Sequence, residues 1–334
     1  MCRARSDEDR RRTAVRNSAG DREHYRWWTR ATTGLSYDRP VVIDGRTLHA
    51  GSEFEADVCV VGAGPSGIAL TGELLKSDLR ICVLENGGTR EKWGTQFLLG
   101  GESVGHPYTR LAISAVSAFG GSSHRWGPYW HARPLDAIDF EAREGLPYSG
   151  WPFGRDHLTP YYERAERHFG LRPFDYASSP QDADASRRLP FRPGRLVTGE
   201  LQHGQTDYPR EFDRLAAAAN VRVILRAHVA ELLADSQIPG RVAGVRALIA
   251  RDTPLRVKAR LTVLAAGGIG NARLLLLGNT AHPEGIGNEH DLVGRFFMEH
   301  PSLRSGVIVP SDPTLLGQRD LFAGTGAHDS SGLR

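Results

Sequence analysis

The chain has 334 residues, 40% of them hydrophobic and 24% charged, as expected for a globular protein of one large or two ordinary domains. No apolar run reaches the roughly 18 residues that a membrane-spanning helix needs, so we expect no membrane span. Three cysteines are too few for a disulfide framework and lack metal-binding spacing, which predicts no metal site and a reducing, cytoplasmic location.

The basic character of the chain is confined to its N-terminal arm. Residues 1–30 contain nine arginines and five acids, a surplus of four against a total of +3, so the rest of the chain carries about −1. A near-neutral body gives no indication of nucleic-acid binding. Residues 1–39 lack apolar periodicity and the apolar stretch of an export signal, so we predict a disordered basic extension.

The stretch 57–88 has the pattern of a dinucleotide-binding unit. Its first apolar run, Val58–Val61, is typical of a central parallel strand buried on both faces. A glycine-rich turn follows, and apolar residues at helical spacing predict a helix over 66–76. A second apolar strand, 80–84, ends at the acid Glu85.

The other predicted elements surround this unit with further strands and helices. In chain order they are a strand at 41–43, loops over 89–130 with a short helix near 109–116, a loop at 131–150, a helix near 155–168, a linker at 172–195, a helix near 208–219, a strand at 221–225, a hairpin of 241–249 and 254–259, a third apolar strand at 261–265 and a helix at 271–277. Alternation of strands and helices predicts a doubly wound, Rossmann-like α/β fold with a β-hairpin insertion.

The glycine turn has the chemistry of a pyrophosphate site. It consists of Gly62, Ala63, Gly64, Pro65, Ser66 and Gly67. Gly62 permits the tight turn, Gly64 lets the backbone approach a pyrophosphate, and Gly67 lets the helix pack closely on the strand. Glu85 lies 18 residues beyond Gly67, where a carboxylate accepts hydrogen bonds from a ribose.

The turn alone does not separate FAD from NAD, because both dinucleotides use it. Two further glycine stretches bear on the choice. Residues 119–127 read FGGSSHRWG, and residues 265–271 read AAGGIGN behind a predicted strand. Each taken alone is equally an ordinary loop or tight turn.

In this order the three stretches resemble the glucose–methanol–choline (GMC) family of FAD-dependent oxidoreductases, over residues of about 41 to 310. The stretches VVGAGPSGIALTGELL with LENGG, GGSSHRWG, ILRAHVAEL, LAAGGIGNARLLL and VGRFFMEHP carry the resemblance. It implies FAD as cofactor, bound by the first glycine turn and Glu85 together with Asn86, Gly120, Gly121, Ser122, Ser123, Trp126, Val229, Ala266 and Gly267. Arg125 occupies the position at which some members attach flavin covalently through histidine, so we expect non-covalent FAD.

The resemblance also implies a reaction, the oxidation of an alcohol or sugar hydroxyl by hydride transfer to flavin N5. The electron acceptor, whether oxygen, a quinone or a carrier protein, stays open. In the family a C-terminal histidine pair supplies the base, but nothing after residue 310 resembles that segment, and His328 is expected in a frayed end. We assign no catalytic residue and expect a truncated, weakly active or inactive chain, with an FAD-binding domain at 40–298 and the start of an α+β substrate domain at 299–334.

Three alternatives remain open from the sequence. One is an NAD(P)-dependent oxidoreductase that uses the same turn, another is a non-catalytic FAD-binding fragment, and the third is an interaction protein that uses the arginine-rich arm. Two histidines also need assignment. His124 either contacts the flavin or faces solvent, and His228 is expected to be structural.

Overall fold

A seven-stranded sheet forms the centre of the fold. The computed structural model describes residues 41–105, 108–126, 130–132, 134–169, 171, 202–204, 207–249, 253–280 and 282–299, all within one structural unit. The strands are β1 (Val41–Asp44), β2 (Ser52–Val61), β3 (Ile81–Glu85), β4 (Trp130–Ala132), β5 (Gln202–Gly204), β6 (Val221–Leu225), β7 (His228–Ala234), β8 (Val242–Ile249) and β9 (Thr253–Leu264). The helices are α1 (Pro65–Leu74), α2 (Trp93–Gln96), α3 (Leu111–Ser114), α4 (Arg155–Phe169), α5 (Tyr208–Ala216) and α6 (Gly268–Leu277), with short 3-10 turns at Gly45–Thr47, Phe97–Leu99, Gly121–Arg125 and Ala137–Phe140.

The strand order confirms the predicted doubly wound α/β fold. Across the main sheet the order is β1-β6-β3-β2-β9-β8-β7. The first five strands in this order run parallel, whereas β8 and β7 add an antiparallel limb. The predicted hairpin is the β8–β9 pair within this limb. A separate antiparallel pair joins β4 and β5.

The third apolar strand differs from the sequence prediction. The second hairpin arm (254–259) and the third apolar strand (261–265) form a single strand, β9. Its first half alternates between buried apolar and exposed basic side chains and pairs with β8, while β2 runs beside it to Leu264. The alternation and the apolar run therefore belong to one strand, whose neighbours change along its length.

Both faces of the sheet are covered, which explains the continuous apolar runs. Val58 and Val60 pack on the face that Ile68 of α1 and Leu215 of α5 cover. The alternate residues of β2 pack on the opposite face, with Leu274 of α6. Every residue of β3 and of β6 is buried, as in parallel strands enclosed on both sides.

The two cysteines in the sheet act as small apolar residues. Cys59 and Cys82 lie opposite each other on β2 and β3, and both are fully buried and free. Burial raises the pKa of both thiols, that of Cys82 to about 12. The thiols therefore stay protonated and unreactive, as predicted.

A half-buried amide, that of Asn220, anchors the end of α1 next to the sheet. The Asn220 Nδ2 group lies 3.1 to 3.2 Å from the carbonyl oxygens of Leu74, Ser77 and Leu79, which share its two hydrogens. These carbonyls end α1 and begin the loop to β3, so Asn220 satisfies groups that a helix terminus leaves unpaired. The anchor therefore holds the C-terminal end of α1 against the residue that precedes β6.

Some predicted segments lie outside the described residues. They are the basic extension 1–39, the whole of the linker 172–195, and residues 300–334 with His328. The predicted start of a substrate domain therefore stays a prediction. In the part of the chain that the structure describes, no helix combines the length and apolarity needed to cross a membrane.

Candidate cofactor site

The first and third glycine stretches meet at one edge of the sheet. β2 and β9 run parallel in register, with Val61 opposite Leu264, so their carboxyl ends coincide. The Ala265 amide donates to the Val61 carbonyl oxygen at 2.8 Å. Gly62 has φ +102°, and a Cβ added to it would lie 2.6 Å from the Ala265 carbonyl oxygen. The first turn therefore requires glycine at position 62 because the third stretch touches it there.

The remaining glycines of the first turn, Gly67 and Gly64, differ in the space around them: Gly67 is tightly packed and Gly64 is not. A Cβ added to Gly67 would lie 2.1 Å from the Gly62 carbonyl oxygen. Gly64 caps α1 and Pro65 occupies its first turn. A Cβ added to Gly64 would meet only the Ala265 carbonyl oxygen, at 4.0 Å. The space beside Gly64 is thus free of protein atoms at the positive end of a helix dipole, which suits a phosphate.

The other members of the two turns lie around this space. Within the glycine turn Ala63 is buried, while Ser66, near the start of α1, is exposed. Ala266 and Gly267 are exposed, and a Cβ added to Gly267 would meet nothing within 4 Å. The Ala266 amide donates to Asn271 Oδ1 at 2.9 Å, which holds the third turn in shape.

The second stretch, here called the glycine–serine loop (residues 119–126), is hydrogen-bonded to the first turn. The Phe119 amide donates to the Gly88 carbonyl oxygen, and the Gly120 amide donates to the Ala63 carbonyl oxygen, each at 2.8 Å. A Cβ added to Gly121 would lie 2.9 Å from Gly64 Cα. All three predicted glycine stretches therefore meet around Gly62–Gly67.

The polar and aromatic members of the loop differ in exposure. Ser123 is buried, and its hydroxyl donates to the Gly120 carbonyl oxygen at 2.5 Å. Ser122 is half-buried, and Trp126 is 47% exposed at the end of the loop. Arg125 is bound by Glu91 and by the Ile113 carbonyl oxygen.

Glu85 ends β3 directly beneath the first turn. Its two carboxylate oxygens accept hydrogen bonds from the amides of Gly87 (2.8 Å) and Ala63 (3.0 Å), and the side chain is buried. Burial raises the pKa of the Glu85 carboxyl, while the two amide donors oppose that rise by stabilising the carboxylate. The acid predicted to bind a ribose therefore also fixes the backbone on both sides of the site.

Asn86 links the end of β3 to two other segments. Its Nδ2 group donates to Ser117 Oγ at 2.6 Å, and its Oδ1 atom lies 3.0 Å from His228 Nδ1. Because Oδ1 accepts only, the His228 Nδ1–H is the donor. Gln96 holds Ser117 in turn, accepting from its amide at 3.2 Å. The network therefore connects the end of β3, the segment just before the glycine–serine loop, and β7. The predicted residue Val229 is buried next to His228.

His228 should make the stability of the fold depend on pH. Burial lowers the pKa of its ring from 6.5, and the charge of Arg273 lowers it further. The unfolded chain therefore binds the proton more readily, and stability falls as pH drops below about 6.5 toward the lowered pKa. We expect His228→Asn, which keeps a donor to Asn86, to lose less stability than wild type between about pH 8 and pH 5.5 in denaturant unfolding. An identical loss in both proteins would contradict this assignment.

Sequence reasoning missed several residues that hold the site together. Ser117 and Gln96 lie in a stretch read as loop, and Tyr208 begins α5 far along the chain. None carries a local motif, since each acts through a partner distant in sequence. Within the described residues, no group of three or more His, Cys, Asp or Glu side chains could hold a metal ion.

Comparison with known proteins identifies the ligand class. The sequence pattern of FAD dependent oxidoreductases matches residues 57–287, more than half of the chain. The match supports FAD, rather than NAD(P), as the cofactor. The open space beside Gly64 and Gly267 fits a dinucleotide at these turns.

Curated relatives share this region at moderate identity. The chain is 28% identical to 6'''-hydroxyparomomycin C oxidase of Streptomyces lividus, over 81% of this chain and 58% of the relative. It is 23% identical to 2-methyl-1,2-propanediol dehydrogenase of Mycolicibacterium austroafricanum, over 75% of this chain and 56% of the relative. The chain thus spans little more than half the length of these relatives. Among solved structures, pyridoxine 4-oxidase from Mesorbium loti aligns with a TM-score of 0.42 and 19% identity, over 66% of this chain and 51% of that chain.

Proposed function

Because the chain belongs to the FAD dependent oxidoreductase family, we propose that residues 40–298 hold FAD non-covalently in an alcohol or sugar oxidoreductase of GMC type. The observation that carries this proposal is the meeting of three glycine stretches around Gly64. Two of them, the first turn and the third stretch, leave open space at Gly64 and Gly267. The membership itself rests on the match over residues 57–287.

The residues around that space have separable roles in the proposal. The backbone at Gly64, with Pro65 and Ser66 at the start of α1, receives the pyrophosphate. Glu85 and Asn86 lie on the ribose side, and the remaining lone pairs of Glu85 accept from the ribose hydroxyls. The backbone of Val229 lies on the adenine side.

The flavin side consists of the other two glycine stretches. Gly120, Gly121, Ser122 and Ser123 approach the ring system, with Trp126 at the rim. Ala266 and Gly267 close the site from β9. Arg125 is engaged by Glu91, which agrees with non-covalent binding.

The substrate proposal follows the chemistry named in the relatives. Bound FAD supplies an acceptor, its N5, for the hydride of a hydroxyl-bearing carbon. One relative is named as an oxidase of 6'''-hydroxyparomomycin C and the other as a dehydrogenase of 2-methyl-1,2-propanediol. We propose that the whole protein oxidises a hydroxyl group of an alcohol or sugar of this kind, with the acceptor of the electrons left unassigned.

Cofactor titration tests the proposal directly. The purified chain, freed of any ligand, should take up one FAD per chain, quench its fluorescence, and release intact FAD on denaturation. NADH titrated under the same conditions should produce no saturable signal. A folded chain that takes up no FAD would overturn the proposal, and FAD that stays attached after denaturation would overturn its non-covalent part.

A further inference from the structure

The glycine–serine loop begins with two successive residues in the left-handed region. They are Gly120, with φ +101°, and Gly121, with φ +58°, a conformation that glycine adopts readily. Such a reversal brings Gly121 against Gly64, where an added Cβ would lie 2.9 Å from Gly64 Cα. Whatever fixes these two residues also fixes the gap between the loop and the first turn.

Tyr208 supports the loop through a relay of hydroxyl groups. It begins α5, capped by Asp207, whose carboxylate accepts from the Arg210 amide. The Tyr208 hydroxyl donates to Ser123 Oγ, and that hydroxyl donates to the Gly120 carbonyl oxygen at 2.5 Å. The relay connects a helix that packs on the sheet with Gly120, the first left-handed residue of the loop.

His124 supports the same turn from the other side. Its ring lies against the Tyr208 ring, with centroids 4.4 Å apart and planes at 37°. Its Nε2 atom lies 2.8 Å from the Phe119 carbonyl oxygen, and since a carbonyl only accepts, Nε2–H is the donor. The histidine left open by the sequence is therefore engaged with backbone and not directed at solvent.

The two rings leave no room for a side chain between them. A Cβ added to Gly120 would lie 2.7 Å from Tyr208 Cδ1 and 2.8 Å from His124 Nε2. Both carbonyl groups at the start of the loop, those of Phe119 and Gly120, are held by this pair or by its relay. The start of the loop is thus held both by Tyr208 of α5 and by His124.

We propose that Tyr208 and His124 are positioning residues of the FAD site, which hold the glycine–serine loop at its working distance from Gly64. The inference rests on the proposed function, since the loop is taken as the flavin side of that site. Neither residue touches the reacting atoms. Their effect on FAD passes through Ser123, Gly120 and Gly121.

Tyr208→Phe tests the relay, with Tyr161→Phe as its matched control. The first removes the hydroxyl that donates to Ser123 and keeps the ring. The second removes a hydroxyl from a half-exposed tyrosine whose ring contacts His157 and Arg164 of its own helix. We expect Tyr208→Phe to weaken FAD binding about fivefold and to change the visible circular dichroism of bound flavin. Its apoprotein should melt within about 3 °C of the control.

His124→Gln and His124→Leu provide the second arm. Glutamine places an amide donor near the position of Nε2, so it should retain most FAD affinity and the wild-type flavin spectrum. Leucine removes the donor and should behave like Tyr208→Phe. These two variants test the proposed positioning role even if Tyr208→Phe fails to fold.

The outcomes separate the inference from the proposed function. Wild-type affinity and spectrum in both Tyr208→Phe and His124→Leu would overturn the inference alone. A loss of affinity that tracks melting temperature, with an unchanged flavin spectrum, would show a purely structural role and would also overturn it. A wild-type chain without FAD uptake would overturn the proposed function and this inference with it.

Discussion

Alanine at Gly67 should disrupt the fold, whereas alanine at Gly64 should spare the fold and block FAD. A Cβ at Gly67 would lie 2.1 Å from the Gly62 carbonyl oxygen, a backbone atom held by the turn. Overpacking of this kind costs about 3 kcal/mol, more than the roughly 1 kcal/mol that alanine gains over glycine in a helix. Thermal unfolding of the Gly67→Ala apoprotein measures the loss.

Gly64→Ala should have the opposite effect: it should leave stability nearly unchanged and weaken FAD binding. Its φ of −77° suits any residue, and an added Cβ would meet no protein atom closer than 4.0 Å. Stability should therefore change by less than about 1 kcal/mol. The methyl group occupies the space assigned to the pyrophosphate, so FAD affinity should fall on the order of 100-fold.

Gly101→Ala is the matched control for both variants. Gly101 is exposed, its φ is not in the left-handed region, and an added Cβ meets nothing within 4 Å. It should melt and bind FAD like wild type. Full FAD affinity in Gly64→Ala would show that the pyrophosphate lies elsewhere, and a stable Gly67→Ala protein would show that the turn relaxes.

Glu85→Ala should lower both stability and FAD affinity. The substitution leaves the buried amides of Ala63 and Gly87 without their acceptors. Two unsatisfied donors should lower the free energy of unfolding by about 2–4 kcal/mol. FAD affinity should fall on the order of 1–3 kcal/mol, about 5- to 150-fold, because the ribose acceptor is lost and the turn loosens.

Two further variants help to separate the loss of stability from the loss of FAD affinity in Glu85→Ala. Glu73→Ala, on the exposed side of α1, removes only a surface ion pair with Arg164 and should change little. Glu85→Gln keeps one acceptor oxygen and should lie between wild type and Glu85→Ala. Denaturant unfolding and FAD titration of the three proteins measure both quantities. If Glu85→Ala loses stability and keeps full affinity, its carboxylate serves the backbone and not the ribose.

Local patterns were sufficient for the nucleotide-binding unit. The apolar run of β2, the glycine turn, α1 and β3 each depend on residues close in sequence, and all were predicted within a few positions. The reason is that strand burial, helix periodicity and turn geometry are short-range constraints. The extent of β9 was not accessible in this way, because its two halves have different neighbours.

The contacts that tie the site together depend on partners far apart in the chain. Asn86 meets His228 across 142 positions, and Tyr208 meets Ser123 across 85. Neither pair has a spacing that a sequence pattern encodes.

The sequence by itself thus determined the type of ligand site: a glycine turn after a buried strand, an acid at the end of the next strand, and two more glycine stretches in order. Only the tertiary structure decided that these stretches touch, that Glu85 accepts from the amides of Ala63 and Gly87, and that Tyr208 of α5 holds the glycine–serine loop. The physical reason is that a glycine shows where close approach is possible, while the atoms that approach it come from whichever strands and helices the sheet brings together.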